Sequence, residues 1–254
     1  MGGRYPFAFA VGYGVAVATT TLSTHQRAVR SSVAAKALMA VTGLFLIIFL
    51  LFHMFGNLKI IGGADQFNHY AAFLREILNP ILPGDTFLWL FRLVLVLAVV
   101  LHIWSAVRVT KQNHRGSGGA GRYSIKKSLS PNNTYAARTM IWSGIIVVLF
   151  VIMHLLQFTI APDFFNNPHS GPDGRAGMVY TAFGNWIFLI VYLIAIAAVC
   201  AHVSHGFWSA FATLGVNVSG VARKIIRVCS WLVGFVIFVG FMLPPFLIFF
   251  GVLN

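Results

Sequence analysis

Five long apolar stretches constrain the fold of this chain more than any other feature. Each holds about 20 residues, the length that a helix needs to cross the ~30 Å hydrocarbon layer of a membrane. Backbone groups in lipid must be hydrogen-bonded within the segment, so such stretches form helices. The sequence therefore predicts an all-α integral membrane protein, with five transmembrane helices in one bundle formed by residues 31–254. The predicted spans are Ala37–Leu58, Thr86–Val107, Thr139–Ala161, Ala182–Phe211 and Val228–Leu253.

The charges are sorted between the two sides of this bundle. All but four of the 18 basic residues lie within 1–36, 108–138 and 223–227, which are the connections on one side. An excess of Lys and Arg marks the cytoplasmic side. The N-terminus is therefore predicted to be cytoplasmic and the C-terminus outside, in a bacterial cytoplasmic membrane. The net charge of +13 then reflects topology, and nucleic acid is not an expected partner. The five acids occupy the other two connections: Asp65, Glu76, Asp85, Asp163 and Asp173.

Residues 1–30 are predicted to form a cytoplasmic or interfacial arm that contacts a partner, because Phe7–Thr24 is uncharged but poor in large aliphatic residues. A cleaved signal or a sixth helix is the alternative. No carboxylate lies within the five spans, which argues against a proton-coupled transporter built on intramembrane acids. The two cysteines form no Cys-x-x-Cys-His motif, so covalent attachment of a c-type haem is excluded.

Histidines occur inside four of the five predicted spans. His53 and His154 lie towards the outer ends of the first and third spans, whereas His102 and His202 lie in the inner halves of the second and fourth. The alternating direction of the helices thus sorts four histidines into two pairs by depth. Polar side chains within a membrane are functional candidates, although each could simply bond to a neighbouring helix. His205 lies one turn beyond His202 and is a possible third histidine at the inner level.

Two imidazoles from different helices at one depth suit bis-histidine haem, in which the iron takes one nitrogen on each face of the macrocycle. Zinc or copper would need three or four ligands at one site. The pattern therefore predicts two b haems, one near each membrane surface. Arg92 lies in the outer half of the second span and is a candidate partner for haem propionates. Lys59, close to His53, is a second candidate or a side chain that snorkels to the surface.

A repeat accompanies the outer pair of histidines. Both "MAVTGLFLIIFLLFH" and "MIWSGIIVVLFVIMH" read Met, two residues, Thr or Ser, Gly, nine residues, His. Gly43 and Gly144 each lie ten residues before the histidine, a helical rise of ~15 Å. Each glycine is therefore expected at the level of the inner haem, where it would let a macrocycle approach the backbone. Close packing between helices is the alternative reason for a small residue.

Four segments together resemble the di-haem cytochrome b subunit of succinate:quinone oxidoreductases and fumarate reductases, in its five-helix single-anchor form. The resemblance covers most of the chain, from Ser31 to the end of the fifth span. The segments are "SSVAAKALMAVTGLFLIIFLLFHMFGNL", "LHIWSAVRVTKQNHR", "RTMIWSGIIVVLFVIMHLLQF" and "HVSHGFWSAFATLG". The resemblance implies that His53 and His154 bind the distal haem, and that His102 and His202 bind the proximal one.

The resemblance also separates His202 from His205, because the family's ligand on the fourth helix lies four residues before a glycine, here Gly206. His205 is then a neighbour of the ligand or part of a quinone site. Ser32 and Lys36 match a Ser and a basic residue that line the quinone site in related anchors. The alternative is that Ser32 caps the first helix. The intramembrane glutamate that some members carry in the fourth helix is absent here.

The implied function is electron transfer in the respiratory chain and the tricarboxylic acid cycle. A flavoprotein subunit would oxidise succinate, an iron–sulfur subunit would dock on the cytoplasmic face, and membrane quinone (menaquinone or ubiquinone) would accept the electrons. The complex could assemble further into a higher oligomer. Two alternatives stay open from the residues. One is the cytochrome b subunit of another quinone-linked oxidoreductase, and the other is a haem-free transporter.

Overall fold

The computed structural model describes residues 32–116, 131–160, 162–165 and 174–253, so the predicted N-terminal arm lies outside the described residues. The described part is helical and contains no strand. Five of its helices are long and apolar enough to cross a membrane, which confirms the predicted number of spans. They are α1 (Ser32–Leu58), α3 (Thr86–Gly116), α4 (Pro131–Leu155), α6 (Trp186–Thr213) and α7 (Gly220–Phe249). The shorter α2 (Ala64–Glu76) and α5 (Gly174–Phe183) lie in connections.

The start of the fourth span was predicted wrongly. The expected range began at Ala182, but this residue belongs to α5, and the chain turns at Gly184 before α6 begins. The side chain of Asn185 accepts a hydrogen bond from the backbone N–H of Ile187 and so caps α6. The apolar sequence continues through this turn, so hydropathy alone does not reveal where α6 begins. The fifth span likewise begins earlier than predicted, where the hydroxyl of Ser219 accepts from the N–H of Ala222.

The connections that carry the acidic residues are structured close to the spans. Helix α1 continues into a 3-10 turn at Lys59–Gly62, and α4 continues into a π-helical turn at Leu156–Ile160. The side chain of Asn68 on α2 accepts a hydrogen bond of 2.9 Å from the backbone N–H of Ala176 on α5. This bond joins the two connections on the same side of the bundle.

The two helices that carry each predicted histidine pair are not neighbours in the bundle. They face each other across a diagonal. Helix α1 packs against α3, α6 and α7, and α6 packs against α4 and α7. Within the described ranges, no comparable backbone contact joins α1 to α4, α3 to α6, or α3 to α4. Four helices thus stand in the order α3, α1, α6, α4, with α7 against the middle two.

The best buried core lies where α6 and α7 meet α1. Ile237 of α7 is fully buried, and Val199 of α6 and Ile47 of α1 are nearly so. Small residues allow the helices to approach, since a Cβ at Gly240 or Gly234 of α7 would collide with side chains of the neighbouring spans. Large apolar side chains cover the outer faces of the bundle, as is expected for a surface that meets lipid.

Candidate functional site

His53 of α1 and His154 of α4 meet across one diagonal of the bundle. Their ring centroids lie 5.9 Å apart and their ring planes are inclined by 83°. Aromatic side chains lie beside them. The ring of Phe49 stacks on that of His53 with the centroids 5.4 Å apart, and the ring centroid of Phe241 on α7 lies 5.7 Å from that of His53. We call this pair site A. Only the side chains bridge the distance between α1 and α4 here, while the two backbones stay apart.

His102 of α3 and His202 of α6 meet across the other diagonal, and we call this pair site B. Their ring centroids lie 6.3 Å apart, with the ring planes inclined by 71°. The structure therefore brings together the same two pairs that the alternation of helix direction predicts. All four imidazoles are partly buried within the bundle.

The separation in both pairs fits two imidazoles on opposite sides of one metal ion. An imidazole nitrogen binds a first-row metal at about 2 Å, which places the ring centres of two opposed ligands about 6 Å apart. The observed centroid distances of 5.9 and 6.3 Å match this value. Ring planes at a steep angle are compatible with it, because each plane needs only to contain the metal–nitrogen axis.

Hydrogen bonds at site B leave one nitrogen of each imidazole available. His102 Nδ1 lies 3.1 Å from the carbonyl oxygen of Met39, which can only accept, so Nδ1 carries the proton. The hydroxyl of Ser143 donates to the Met140 carbonyl at 3.1 Å, and its oxygen lies 3.2 Å from His202 Nδ1. The Nδ1 of His202 is therefore also the donor. In both rings Nε2 keeps its lone pair, which is the form that binds a metal.

The Thr or Ser of the sequence repeat thus has a specific position. Thr42 lies 3.2 Å from His102 Nδ1, and Ser143 lies 3.2 Å from His202 Nδ1. Each repeat places one histidine in site A and, about three turns earlier, a hydroxyl beside a histidine of site B. The hydroxyl is visible in the sequence as part of the repeat, but the sequence alone indicates no role for it.

The two glycines of the repeat are at site B, as their spacing predicts. A Cβ added to Gly43 would lie 3.1 Å from His102 Cε1, and one added to Gly144 would lie 3.4 Å from His202 Cε1. Each glycine therefore makes room for an imidazole. The sequence suggests two other reasons for glycine here, namely approach of a macrocycle and plain helix packing. At Gly206, a Cβ would meet no atom within 4 Å, so helix packing does not require that glycine.

A buried relay extends from site A. His154 Nδ1 lies 3.0 Å from the hydroxyl of Tyr192 on α6, and this hydroxyl donates to Gln157 Oε1 at 2.9 Å. Since the Tyr192 hydrogen is given to Gln157, its oxygen accepts from the Nδ1–H of His154. The π-helical turn after α4 carries Gln157, which is fully buried. No sequence spacing predicts this relay, because Tyr192 is 38 residues from His154.

A pocket of three arginines lies next to site A. Its volume is about 220 Å³, and it is lined by Arg75 of α2, Arg92 of α3 and Arg175 of α5, with Phe158 at its edge. Phe158 connects it to the histidines, since its ring centroid lies 5.3 Å from that of His154. The guanidinium of Arg92 also covers the ring of Trp89 at 4.7 Å. Of these three arginines, only Arg92 was predicted from the sequence, because Arg75 and Arg175 lie outside the spans.

Positive charge exceeds negative charge in this pocket. Burial, followed by the positive charges of Arg75 and Arg92, lowers the pKa of Arg175 below its ordinary value. Asp85 is the one acid that lines the pocket among the described residues, and its carboxylate accepts from the indole N–H of Trp89 at 3.0 Å. Of the four basic residues outside the predicted cytoplasmic connections, three line this pocket. The excess of basic residues on the cytoplasmic side therefore does not account for their position. The pocket is suited to an anion.

The other predicted residues lie apart from the two histidine pairs. His205 is exposed, and its Nδ1 lies 3.1 Å from the Ala201 carbonyl of its own helix, so it does not form a third member of site B. Lys59 lies over the ring of Phe55 at 4.6 Å and lines a separate groove. Ser32 and Lys36 are both exposed at the start of α1, one turn apart.

Each site therefore offers two imidazoles. Within the described ranges, no group of three or more His, Cys, Asp or Glu side chains converges on a common point. A search of protein-family models, of well-characterised protein sequences and of solved structures found no match to this chain.

Proposed function

We propose that this chain is the membrane-anchor and electron-transfer subunit of a succinate:quinone oxidoreductase, and that it holds one b haem at site A and one at site B. The observation that carries the proposal is the geometry of the two imidazole pairs. Four histidines from four different spans meet two by two, with ring centroids 5.9 and 6.3 Å apart. Helices that hold each pair face one another diagonally, so only the imidazoles need to reach the metal from either side.

The surroundings of the histidines support the same ligand. At three of the four imidazoles, Nδ1 has a hydrogen-bond acceptor. A hydrogen bond from Nδ1–H leaves the lone pair on Nε2 and makes Nε2 a stronger metal ligand. Haem bound in this way would supply a one-electron carrier whose potential depends on its axial ligands, on hydrogen bonding and on burial. The protein's own task is to hold the four rings, exclude water and tune the two sites.

The arginine pocket supports a haem at site A in particular. Porphyrin propionates are anions, and guanidinium groups bind carboxylates by charge-assisted hydrogen bonds. Arg75, Arg92 and Arg175 line one pocket that reaches the Phe158 ring beside His154. We assign these three side chains as propionate partners of the site A haem.

The arrangement of charge supports an orientation of the two sites in the membrane. Under the positive-inside rule, site B is near the cytoplasmic surface and site A near the outer surface. An iron–sulfur subunit with its flavoprotein partner would then dock on the basic cytoplasmic face. Ser32 and Lys36 are exposed at the cytoplasmic end of α1 in this orientation, and we assign them to a quinone site beside site B.

The haem content of the purified chain tests the proposal. We expect a pyridine haemochrome of about two haems per chain and a reduced b-type spectrum. His154→Ala should remove the site A haem and keep the site B haem, whereas His202→Ala should do the opposite. A colourless wild-type protein, purified with haem supplied during expression, would refute both sites.

The partner assignment needs a separate experiment. We expect a tagged chain to copurify with a flavoprotein and an iron–sulfur protein, and succinate to reduce the haems of that complex. Reduction by formate or hydrogen, with no response to succinate, would keep the two haem sites but assign the chain to another quinone-linked oxidoreductase. Transport of a solute by haem-free protein would support the remaining alternative.

A further inference from the structure

Site A differs from site B in how its histidine is held. At site B the acceptors for Nδ1 belong to the repeat helices, namely the Met39 carbonyl and the Ser143 hydroxyl. At site A, the acceptor for His154 is a phenol on another span, Tyr192. The phenol is itself bonded onward to Gln157, so the three side chains form a continuous chain of hydrogen bonds.

The surroundings of this relay are dry and tightly packed. Tyr192 is 5% exposed and Gln157 is fully buried. Aromatic rings enclose the phenol, with Phe183 at 4.9 Å and Phe150 at 5.1 Å from its centroid. Little water can reach these atoms, and hydrogen bonds in such an environment are stronger than in water.

The direction of the relay follows from the placement of the Gln157 amide, whose Oε1 faces Tyr192 and whose buried Nε2 has no hydrogen-bond partner among the described residues. The Oε1 of Gln157 is an acceptor, and it receives the Tyr192 hydrogen at 2.9 Å. The phenol oxygen is therefore free to accept, and His154 must be protonated at Nδ1 to use it. This tautomer leaves the lone pair on Nε2, and the hydrogen bond at Nδ1 makes that lone pair more basic.

We propose that Tyr192 and Gln157 are positioning residues that fix the tautomer of His154 and lower the redox potential of the site A haem. This inference rests on the proposed function, because it concerns the haem that site A would hold. A more basic axial imidazole stabilises ferric over ferrous iron. Tyr192 touches neither the metal nor its macrocycle in this role and acts through His154 alone.

The test is a spectroelectrochemical titration of the purified full chain. Tyr192→Phe keeps the packed ring and removes only the hydroxyl, so we expect the site A haem to titrate at a higher potential while the site B haem is unchanged. Gln157→Leu should shift site A in the same direction by a smaller amount. In the double variant the two shifts should not add, because Gln157 acts only through the Tyr192 hydroxyl.

The matched control is Tyr70→Phe, which makes the same change at a tyrosine of α2 that packs against Gly56. It should leave both potentials unaltered. An unchanged site A potential in Tyr192→Phe would overturn the relay, as would equal shifts at both sites or additive shifts in the double variant. If Tyr192→Phe lost its fold, Gln157→Leu alone would decide by the same criterion.

The relay and the proposed function fail in different ways in this experiment. Wild-type protein with two haems and an unresponsive Tyr192→Phe variant would refute the relay and keep the function. Wild-type protein that binds no haem would refute both.

Discussion

The glycine of the sequence repeat gives the sharpest prediction, because the two copies are not equally crowded. A Cβ at Gly43 would lie 3.1 Å from His102 Cε1 and 3.5 Å from its Nδ1. At Gly144 the corresponding distances to His202 are 3.4 and 3.7 Å. Carbon atoms pack best at about 3.5–4.0 Å. Gly43→Ala therefore requires the His102 ring at site B to give way by a few tenths of an ångström, whereas Gly144→Ala produces an ordinary contact at the same site.

The His102 ring has little freedom to give way. Its Nδ1 is bonded to Met39 and contacts Thr42, both on the helix that carries Gly43. Overpacking costs about 1–3 kcal/mol, and replacing Gly by Ala in a helix returns up to about 1 kcal/mol. The net loss at site B is then up to about 2 kcal/mol, which corresponds to as much as roughly 30-fold weaker binding of the haem proposed there. Gly144→Ala should be neutral or slightly stabilising.

Haem retention measures this difference. Each variant is exposed to apomyoglobin as a haem acceptor, and the loss of the site B spectrum is followed over time; His102→Ala identifies that spectrum. Gly220→Ala is the control, since a Cβ there meets no atom within 4 Å and this glycine lies at the start of α7, away from the histidine-bearing helices' repeats. Equal loss from Gly43→Ala and Gly144→Ala, or loss from site A in place of site B, would refute the reasoning.

Three further outcomes are expected. Arg175→Gln should speed the loss of haem from site A and not from site B. Lys59→Gln, outside the arginine pocket, is the control and should change neither rate. If Arg175→Gln had no effect, Arg175 would not be a propionate partner. Cysteines placed at Ile81 and Val218, which are 82% and 85% exposed, should react with impermeant reagents from opposite sides of the membrane in a chain without its native cysteines. Labelling from one side would contradict the predicted topology. Lys36→Ala should lower quinone reduction in the intact complex while haem content stays constant, and unaltered quinone reduction would remove it from the proposed site.

Hydropathy and the direction of the helices were sufficient for the number of spans and for the pairing of the histidines. Both follow from one dominant effect, the cost of exposing polar groups to lipid, which acts on every residue of a span. Depth in the membrane then follows from position along each span, so His53 could be matched with His154 before any contact was known. The tight turn at Gly184 was missed because the apolar sequence runs on through it.

The residues around the histidines were harder to predict. Arg75 and Arg175 lie on short helices outside the spans, and only the packing of the connections brings them to Arg92. Tyr192 reaches His154 from another span, and the π-helical turn that places Gln157 has no signature in the sequence. Such contacts depend on the rotation of each helix about its axis. A hydropathy pattern that is apolar on all faces leaves that rotation undetermined.

The repeat couples the two sites within the same helices. Helix α1 provides His53 to site A and, through Met39, Thr42 and Gly43, the surroundings of His102 at site B. Helix α4 does the same with its own copy of the repeat for His154 and His202. Neither the pair α1 and α3 nor the pair α4 and α6 holds both histidines of a site, because each site joins two helices that face each other across a diagonal. Because a rotation of α1 that moved His53 would also move the acceptors of His102, each site constrains the geometry of the other. The two copies of the repeat therefore have to be placed together, which explains why the sequence repeats the hydroxyl and the glycine as well as the histidine.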